Sequence, residues 1–568
     1  MTVGIVGTGP AVDAVEAAIE EVDVPVETGN VDLVGDVEYA VVVGLAGSDG
    51  FRRANELAIE AGIPWIAVEI GGIGGVPVDD IDATVSALDP DVACFECLRS
   101  RVHSVGPEET AEPTADRSAV RVAGAHAGQL TVRAIAGENV AGTVLEVPYA
   151  RRELLAVPHC RCASETSTSI DREVVTRSLD ESAARAERAI DDRIGLVTQI
   201  GEQASFPAPY YLATLADTTV FSDGAAPERA AGVDSDWDRA FVKALGEGLE
   251  RYSAAIYRED GFRFDTIEGV DGVSPDSFVR PDDAVDPEPT DELPWVEGVD
   301  LSTDETVFLP AEFVHFPPPV ETYTTPITTG LGLGNDTVEA LLSGLYEVVE
   351  RDATMIGWYS TFDPLELVVN DDRFDTLSRR ARSEDLTVTP LLMTQDVDVP
   401  VVTVAVHREE WPSFAVGSAA DLNGEKAATD ALAEAIQNWM ELRNMGRDRA
   451  ADAEGAIGRY ADYPREVRSF TETSGRVDAA SVGTDVSLSG TDELDTLLDR
   501  VEAADLPAFA ASLTPRDVAA IGFETVRVLV PGSQPLFVSD PFFGERARTV
   551  PRDLGYEPRL DRPFHPYP

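Results

Sequence analysis

Three stretches near the middle of the chain set carboxylates along one helical face beside an arginine or an amide. They read Glu247-Gly-Leu-Glu250-Arg251, Asn335-Asp-Thr-Val-Glu339 running on to Glu347-Val-Val-Glu350-Arg351, and Glu434-Ala-Ile-Gln437. Acids at i and i+3 or i+4 share a face. At about 100° per residue, Glu339, Glu347 and Glu350 project from one arc, and Glu247, Glu250 and Arg251 cluster within about 100°. The flanking residues are apolar: Ala244, Leu245 and Leu249 in the first stretch, Ala340, Leu341, Leu345, Val348 and Val349 in the second. Ionised carboxylates in such helices must be paired, neutralised or bound to a hard cation. A single helix of this kind reads as surface ion pairs. Three in one region point to a magnesium–nucleotide site, in which Glu holds Mg2+ bridging phosphates while Arg and Asn contact phosphate oxygens and the nucleotide.

Other nucleotide and catalytic signatures are absent. Neither lysine, Lys243 nor Lys426, lies in a G-x-x-x-x-G-K-[ST] context, so a Walker loop is excluded. There is no G-x-S-x-G elbow, and none of the six histidines has H-E-x-x-H spacing. Gly7-Thr-Gly9-Pro-Ala-Val12 matches the dinucleotide fingerprint in part, but Val12 stands at the third glycine and only Glu27 or Asp32 could serve as the distal acid. A tight turn in a Rossmann-like domain is the better reading.

The four cysteines form two close pairs, Cys94/Cys97 and Cys160/Cys162. Paired cysteines in a cytosolic chain suggest metal rather than disulfides. Four thiolates complete a closed tetrahedral site, so structural Zn2+ is expected, with reduced core cysteines as the plainer alternative and His159 as a substitute ligand.

Those residues need elements to hold them. Residues 3–9 read as a strand ending in glycines, 10–21 as a helix, 41–44 as a strand, 50–61 as a helix and 64–70 as a strand, which predicts a parallel α/β sheet. Residues 104–118 read as a linker, 121–147 resume helix and strand signals, and 164–180 form a second polar boundary. From about residue 180 the chain reads as a larger α+β body, with strands at 401–406 and 526–530 and an exposed Asp- and Pro-rich insertion at 275–294. The end, Arg562-Pro-Phe-His-Pro-Tyr-Pro568, is a proline-rich extended tail. No internal repeat of solenoid period is seen.

Length gives a prior of three or four domains, and 43% hydrophobic residues suffice for a large core. No segment reaches the length of a membrane span, and the N-terminus lacks a signal peptide's charged region, so a cytoplasmic protein without a membrane partner is expected. The net charge of −59 argues against a nucleic-acid partner. Two lysines among 44 basic residues, with 103 acids spread along the chain, fit a halophile, in whose molar salt self-repulsion is screened within about 3 Å.

At the acidic helices the chain resembles the YcaO superfamily of ATP-dependent peptide-modifying enzymes. The matching motifs are Lys243-Ala-Leu-Gly-Glu-Gly-Leu-Glu-Arg-Tyr252, Thr329-Gly-Leu-Gly-Leu-Gly-Asn335 through Glu339-Ala to Tyr346-Glu-Val-Val-Glu-Arg-Asp352, and Ala431-Leu-Ala-Glu-Ala-Ile-Gln437, in family order. The resemblance covers about residues 180–568. It implies ATP–Mg2+ ligands at Glu247, Glu250, Arg251, Asn335, Glu339, Glu347, Glu350 and Arg351; Lys243 stands where some members have Ser. The tail resembles the proline-rich motif of azoline-forming members, which enters the active site, and this implies a catalytic role for Pro568. Residues 1–165 are similar to the E1/ThiF-like partner domain fused to many such cyclodehydratases. The matching stretches are Gly75-Val-Pro-Val through Ala93-Cys-Phe-Glu-Cys-Leu98 and Pro158-His-Cys-Arg-Cys-Ala163, with CxC where that family has CxxC. The resemblance implies structural zinc and peptide presentation there.

The expected architecture is therefore an α/β Rossmann-like, ThiF-like zinc domain at 1–165, a linker at about 104–118 within it, and an α+β YcaO catalytic domain at 180–568 with its tail at 562–568. The expected activity is ATP-dependent conversion of Cys, Ser or Thr in a ribosomally made precursor peptide to thiazoline or oxazoline, as in bacteriocin biosynthesis. ATP, Mg2+ and Zn2+ are the expected cofactors. A homodimer is expected, with a separate leader-binding protein or a dehydrogenase as further partners, since no winged-helix module precedes the first strand. The rival readings are peptide thioamidation and a non-enzymatic docking scaffold.

Overall fold

A computed structural model describes residues 2–20, 22–106, 112–148, 150–162, 169–452, 456–484 and 487–567. The N-terminal region is built on a seven-stranded sheet. Its strands are β1 (Val3–Val6), β2 (Val26–Gly29), β3 (Tyr39–Leu45), β4 (Trp65–Ile70), β7 (Ala83–Leu88), β8 (Thr143–Val147) and β9 (Ala150–Glu153), in the order β2-β1-β3-β4-β7-β8-β9. A small hairpin of β5 (Gly72–Ile73) and β6 (Val76–Pro77) lies between β4 and β7. The first four strands in that order are parallel, as expected, but β4/β7, β7/β8 and β8/β9 are antiparallel, so the sheet is mixed. Strand β2, which carries Glu27, has no counterpart in the sequence reading because all four of its residues are exposed and it lacks an apolar signature. Helices α1 (Pro10–Ile19), α2 (Asp49–Ala61), α3 (Phe95–Val105) and α4 (Arg117–Ile135) cover the sheet. Two helix ends fall inside the stretch expected as a linker at about 104–118. Helix α3 runs through Val105 to a left-handed Gly106, and α4 begins at Arg117, while 107–111 lie outside the described residues.

Among the described residues, the remainder holds three further sheets. Strands β10 (Val197–Ala204), β11 (Tyr210–Leu215) and β12 (Arg229–Val233) form an antiparallel three-stranded sheet. Strands β13 (Arg263–Thr266), β14 (Glu292–Asp300), β15 (Thr306–Pro310), β16 (Leu331–Gly334), β22 (Phe509–Ser512) and β23 (Glu524–Leu529) form a second, and β17 (Leu365–Val368), β18 (Thr387–Leu392), β19 (Val401–His407), β20 (Phe414–Ala420) and β21 (Arg476–Asp478) a third. Their helices include α5 (Leu179–Ala186), α6 (Trp237–Ala254), α7 (Ala311–Val314), α8 (Thr337–Trp358), α9 (Asp372–Arg382) and α10 (Gly424–Met445).

One construction recurs three times. Strands β12, β16 and β20 are each followed by a helix, α6, α8 or α10, that packs back across the strand. The N-caps are Asp236, Asp336 and Asn423, whose side chains accept from backbone N–H groups of the first turn. Each strand approaches its helix so closely that only glycine fits at the crossing. A Cβ at Gly232 would lie 2.3 Å from Ala244 N, one at Gly332 2.1 Å from Ala340 O, and one at Gly417 2.3 Å from Ala435 N. The first two units are offset by 100 positions: Gly232 and Gly332, Asp236 and Asp336, Glu247 and Glu347, Glu250 and Glu350, Arg251 and Arg351. This repeat is far longer than a solenoid period. The apolar residues flanking the acids, Leu245, Leu249, Leu341 and Leu345 among them, are fully buried and fix which face each helix turns to its sheet.

Among the described residues no helix is long and apolar enough to cross a membrane. The tail is neither helix nor strand, but it is not a loose end: Phe564, His565 and Tyr567 are buried. Pro568 lies outside the described residues.

Candidate nucleotide and metal site

Helices α6 and α8 present their Glu-x-x-Glu-Arg segments to a common space. In α6, Arg251 reaches Glu247 at 3.7 Å and Glu250 at 3.6 Å. In α8, Arg351 reaches Glu347 at 3.8 Å and Glu350 at 3.3 Å. The two sets act on each other: the charge of Glu347 bears on both Glu250 and Glu350. Three glutamates are each moored to a backbone N–H within two residues of the crossing glycine. Glu247 accepts from Ala231 N at 2.9 Å, Glu347 from Gly330 N at 3.0 Å and Glu434 from Ser418 N at 2.8 Å. Each bond ties the helix to the strand before it or to the residue that leads into that strand, and in Glu247 and Glu347 it leaves the other carboxylate oxygen to the helix's own arginine.

The electrostatics of this space are unbalanced. Burial pushes Glu250 up to about 7, with Glu347 and Glu247 adding to the rise against Arg251. Burial and the neighbouring Glu350 likewise push Glu434 up to about 7. Glu350 is raised chiefly by burial, although Ser418 Oγ donates to its Oε1 at 2.6 Å. Arg527, on β23, is fully buried, and desolvation lowers it to about 10 while Glu347 and Glu250 counteract. Five carboxylates, Glu247, Glu250, Glu347, Glu350 and Glu434, thus face three guanidiniums, Arg251, Arg351 and Arg527. The guanidiniums themselves are unsatisfied: Nη1 of Arg251, Nη1 of Arg351, and both Nε and Nη1 of Arg527 are buried without a hydrogen-bond partner. Buried N–H groups left unpaired are costly and rare. An acid excess together with orphaned guanidinium donors fits a divalent cation and a polyphosphate bound together.

Asn335 and Glu339 form a pair of their own. Asn335 precedes the N-cap Asp336, so it lies just outside α8 rather than in it, which corrects its sequence assignment to a helix. Its backbone N–H and Nδ2 donate to Glu339 Oε2 at 2.9 and 2.8 Å, and its Oδ1 accepts from Ser182 Oγ of α5 at 2.8 Å. Glu339 is exposed, unlike Glu350 on the same helix. Lys243 binds Asp234 at 2.9 Å and Asp430 at 3.6 Å.

Sequence reading missed Arg527 and Ser418. A lone arginine inside the apolar strand Thr-Val-Arg-Val-Leu was the available signal for the first. Ser418 carries no such signal: its place 16 residues before Glu434 gains meaning only once the strand–helix unit is known.

The tail packs against the end of α8. Trp358 Nε1, at the end of α8, donates to Pro563 O at 2.9 Å, Tyr460 OH donates to Phe564 O, and His565 Nε2 lies 2.7 Å from Phe537 O. Tyr567 is close enough to Glu350 and Arg351 to feel their charges.

The four cysteines converge. Their sulfurs lie within 4.8 Å of one another, with Cys94–Cys160 and Cys97–Cys162 at 3.5 Å and Cys94–Cys97 at 3.9 Å. A tetrahedral zinc at about 2.3 Å from each sulfur implies sulfur–sulfur edges of about 3.8 Å, so the donor set fits that ion. Asn55 Nδ2 reaches Cys94 Sγ at 3.8 Å and Arg516 Nη1 reaches Cys162 Sγ at 3.7 Å, contacts of the kind that would orient the sulfurs toward a metal. His159 is not in the cluster.

Residues 231–534 match the family model described as YcaO cyclodehydratase, ATP- and Mg2+-binding. An uncharacterized protein of Methanothermobacter thermautotrophicus is 28% identical over 334 residues, covering 56% of this chain and 85% of that protein. An uncharacterized protein from the tfuA 3' region of Rhizobium leguminosarum bv. trifolii is 24% identical over 265 residues, covering 42% of this chain and 60% of its own length. Among solved structures, a heterocyclase in complex with substrate and cofactor superposes with a TM-score of 0.75 at 18% identity, covering 99% of this chain and 84% of that one. The heterocyclase TruD gives 0.67 at 16% identity, covering 98% and 82%. At these identities the likeness establishes a shared fold along nearly the whole chain.

Proposed function

This chain belongs to the YcaO cyclodehydratase family, and on that premise we propose that it is an ATP- and Mg2+-dependent enzyme forming thiazoline or oxazoline rings in a ribosomally made precursor peptide. The observation that carries the reading is the pair of Glu-x-x-Glu-Arg helices facing each other with guanidinium donors left open. Glu247, Glu250, Glu347 and Glu350 are assigned to the cation, joined by Asn335 and Glu339 at the start of α8. Arg251 and Arg351 are assigned to the phosphates. Mg2+, when bound, offsets the charge of the β- and γ-phosphate oxygens.

In the reaction, the substrate's Cys thiol, or Ser or Thr hydroxyl, adds to the preceding carbonyl carbon and gives up its proton to a base. The resulting oxygen takes the γ-phosphoryl group of ATP, releasing ADP. Collapse expels phosphate as the amide nitrogen loses its proton, which leaves the C=N bond of the azoline. The sum is peptide plus ATP giving azoline, ADP and phosphate. Phosphate leaves far more readily than hydroxide, and the arginines stabilise the transferring group by position and charge. We assign the tail to the acceptor side, with Pro568 as a catalytic residue. Removing Pro568 should abolish ring formation and leave ATP binding intact.

The N-terminal region, residues 1–165, is assigned as a ThiF-like zinc domain that presents the peptide, with Cys94, Cys97, Cys160 and Cys162 as zinc ligands; residues 180–568 form the catalytic domain. The acid-rich composition supports a cytoplasmic protein of a halophile, and we expect a homodimer. Mass spectrometry of a Cys-, Ser- and Thr-containing precursor peptide after incubation with Mg·ATP tests the function. Loss of one water per modified residue supports it. Exchange of oxygen for sulfur would make the enzyme a thioamidating one, and absence of nucleotide binding at molar salt would make it a scaffold.

A further inference from the structure

Arg101 is fully buried on α3, four residues after Cys97 and so on the same helical face. Each of its three nitrogens donates. Nη1 donates to Tyr252 OH at 3.1 Å, Nη2 to Asp517 and to Ala156 O at 3.3 Å, and Nε to Leu155 O at 3.3 Å. Tyr252 OH in turn donates to Asp517 Oδ2 at 2.5 Å, and the Arg101 guanidinium sits 5.2 Å from the Phe221 ring centroid. Tyr252 and Asp517 are also fully buried.

The identity of the connected segments gives this triad its meaning. Helix α3 carries Cys97 and follows directly on Cys94. Leu155 and Ala156 lead into Cys160 and Cys162. Asp517 follows Arg516, the residue whose Nη1 meets Cys162 Sγ. Tyr252 is the residue after Arg251 on α6. One guanidinium therefore joins every strand of chain that builds the cysteine cluster to the helix that carries Glu247, Glu250 and Arg251.

Helix α8 repeats the device by other means. Asp352, the residue after Arg351 and the counterpart of Tyr252, is buried and accepts from Arg546 Nη2 at 2.7 Å and from Gln534 N at 2.7 Å. A buried ion pair is a weak source of stability compared with apolar residues of the same volume; what it supplies is one fixed geometry. Both carboxylate helices are thus pinned at the position next to their arginine.

We infer that Arg101 is a positioning residue for the nucleotide site: through Tyr252 it fixes the register of the last turns of α6, and the cysteine cluster fixes Arg101. The inference rests on the assignment of Glu250 and Arg251 as ligands of Mg·ATP. Its test uses the full-length protein with Tyr252→Phe, which deletes one hydroxyl and keeps the Arg101–Asp517 pair, and with Arg101→Met. Amide hydrogen exchange is compared for α6 and α8, and Mg·ATP affinity is measured by titration calorimetry. Tyr252→Phe should raise exchange in the last turns of α6 but not in α8, and should weaken Mg·ATP about 3- to 30-fold. A uniform rise in both helices would mean a merely structural role and overturn the inference, as would unchanged exchange in α6. Exchange requires no nucleotide, so failure of the wild-type protein to bind Mg·ATP would sink the proposed function while α6 exchange still decides this inference. If Arg101→Met fails to fold, Tyr252→Phe alone carries the test.

Discussion

Ser418 donates from its hydroxyl to Glu350 at 2.6 Å and from its backbone N–H to Glu434 at 2.8 Å, so one strand residue sets the spacing of two buried carboxylates on two helices. Neither carboxylate can turn away while Ser418 holds it. Loss of an outer contact to a metal ligand costs about 10- to 100-fold in metal affinity. Ser418→Ala should weaken Mg·ATP binding by that factor with little change in thermal stability, as read by calorimetry and a melting curve on the same sample.

The raised glutamates make binding pH-dependent. Glu250 and Glu434 are both pushed from an ordinary 4.5 up to about 7 in the folded protein. Between those values the folded chain holds protons that the unfolded chain has lost, so stability of the ligand-free protein falls as pH rises from about 4.5 to about 7. The cation requires Glu250 ionised, and it draws charge off the carboxylates around Glu350 that hold Glu434 protonated. Mg·ATP binding at pH 6 should therefore release protons, and affinity should rise with pH and level off above about 7. Calorimetry at pH 6 in two buffers of different ionisation enthalpy checks this; equal heats would contradict it.

The close strand–helix crossings are sensitive to a single methyl group. At Gly332 an added Cβ meets Ala340 O at 2.1 Å, which forces β16 and α8 apart. Gly332→Ala should cost about 1–3 kcal/mol in denaturant unfolding. It should also reduce Mg·ATP affinity, because Glu347 is moored to Gly330 beside that crossing.

Much of the site was legible because its chemistry is local. Glu-x-x-Glu-Arg on a helix with apolar flanks declares both a face and a burden of charge, and α6 and α8 carry it as read. The two cysteine pairs declared a cluster in the same way, although they lie 66 residues apart from Cys94 to Cys160. Arg527, marked only by its apolar neighbours, and Ser418, not marked at all, were missed because each sits on a strand and joins the site through long-range pairing. The 100-residue repeat was hidden by its length, and Arg101 by its distance from Tyr252, 151 positions along the chain. Strand β2 escaped because exposed residues on an edge strand leave no alternating pattern. The tail's composition excluded helix and central strand; its burial depends on Trp358, Tyr460 and Phe537, none of them near in sequence.

The central claim is that the facing carboxylates of α6 and α8 hold Mg·ATP. Glu350→Gln removes one charge and keeps the shape and the acceptor for Ser418. Titration of wild type and variant with Mg·ATP at molar salt, paired with an ATP turnover assay, tests the claim most directly. The account predicts that the wild type binds and turns over ATP while Glu350→Gln loses more than about 100-fold in kcat/KM, beyond the cost of an outer contact. Equal binding and turnover by the two proteins would contradict it.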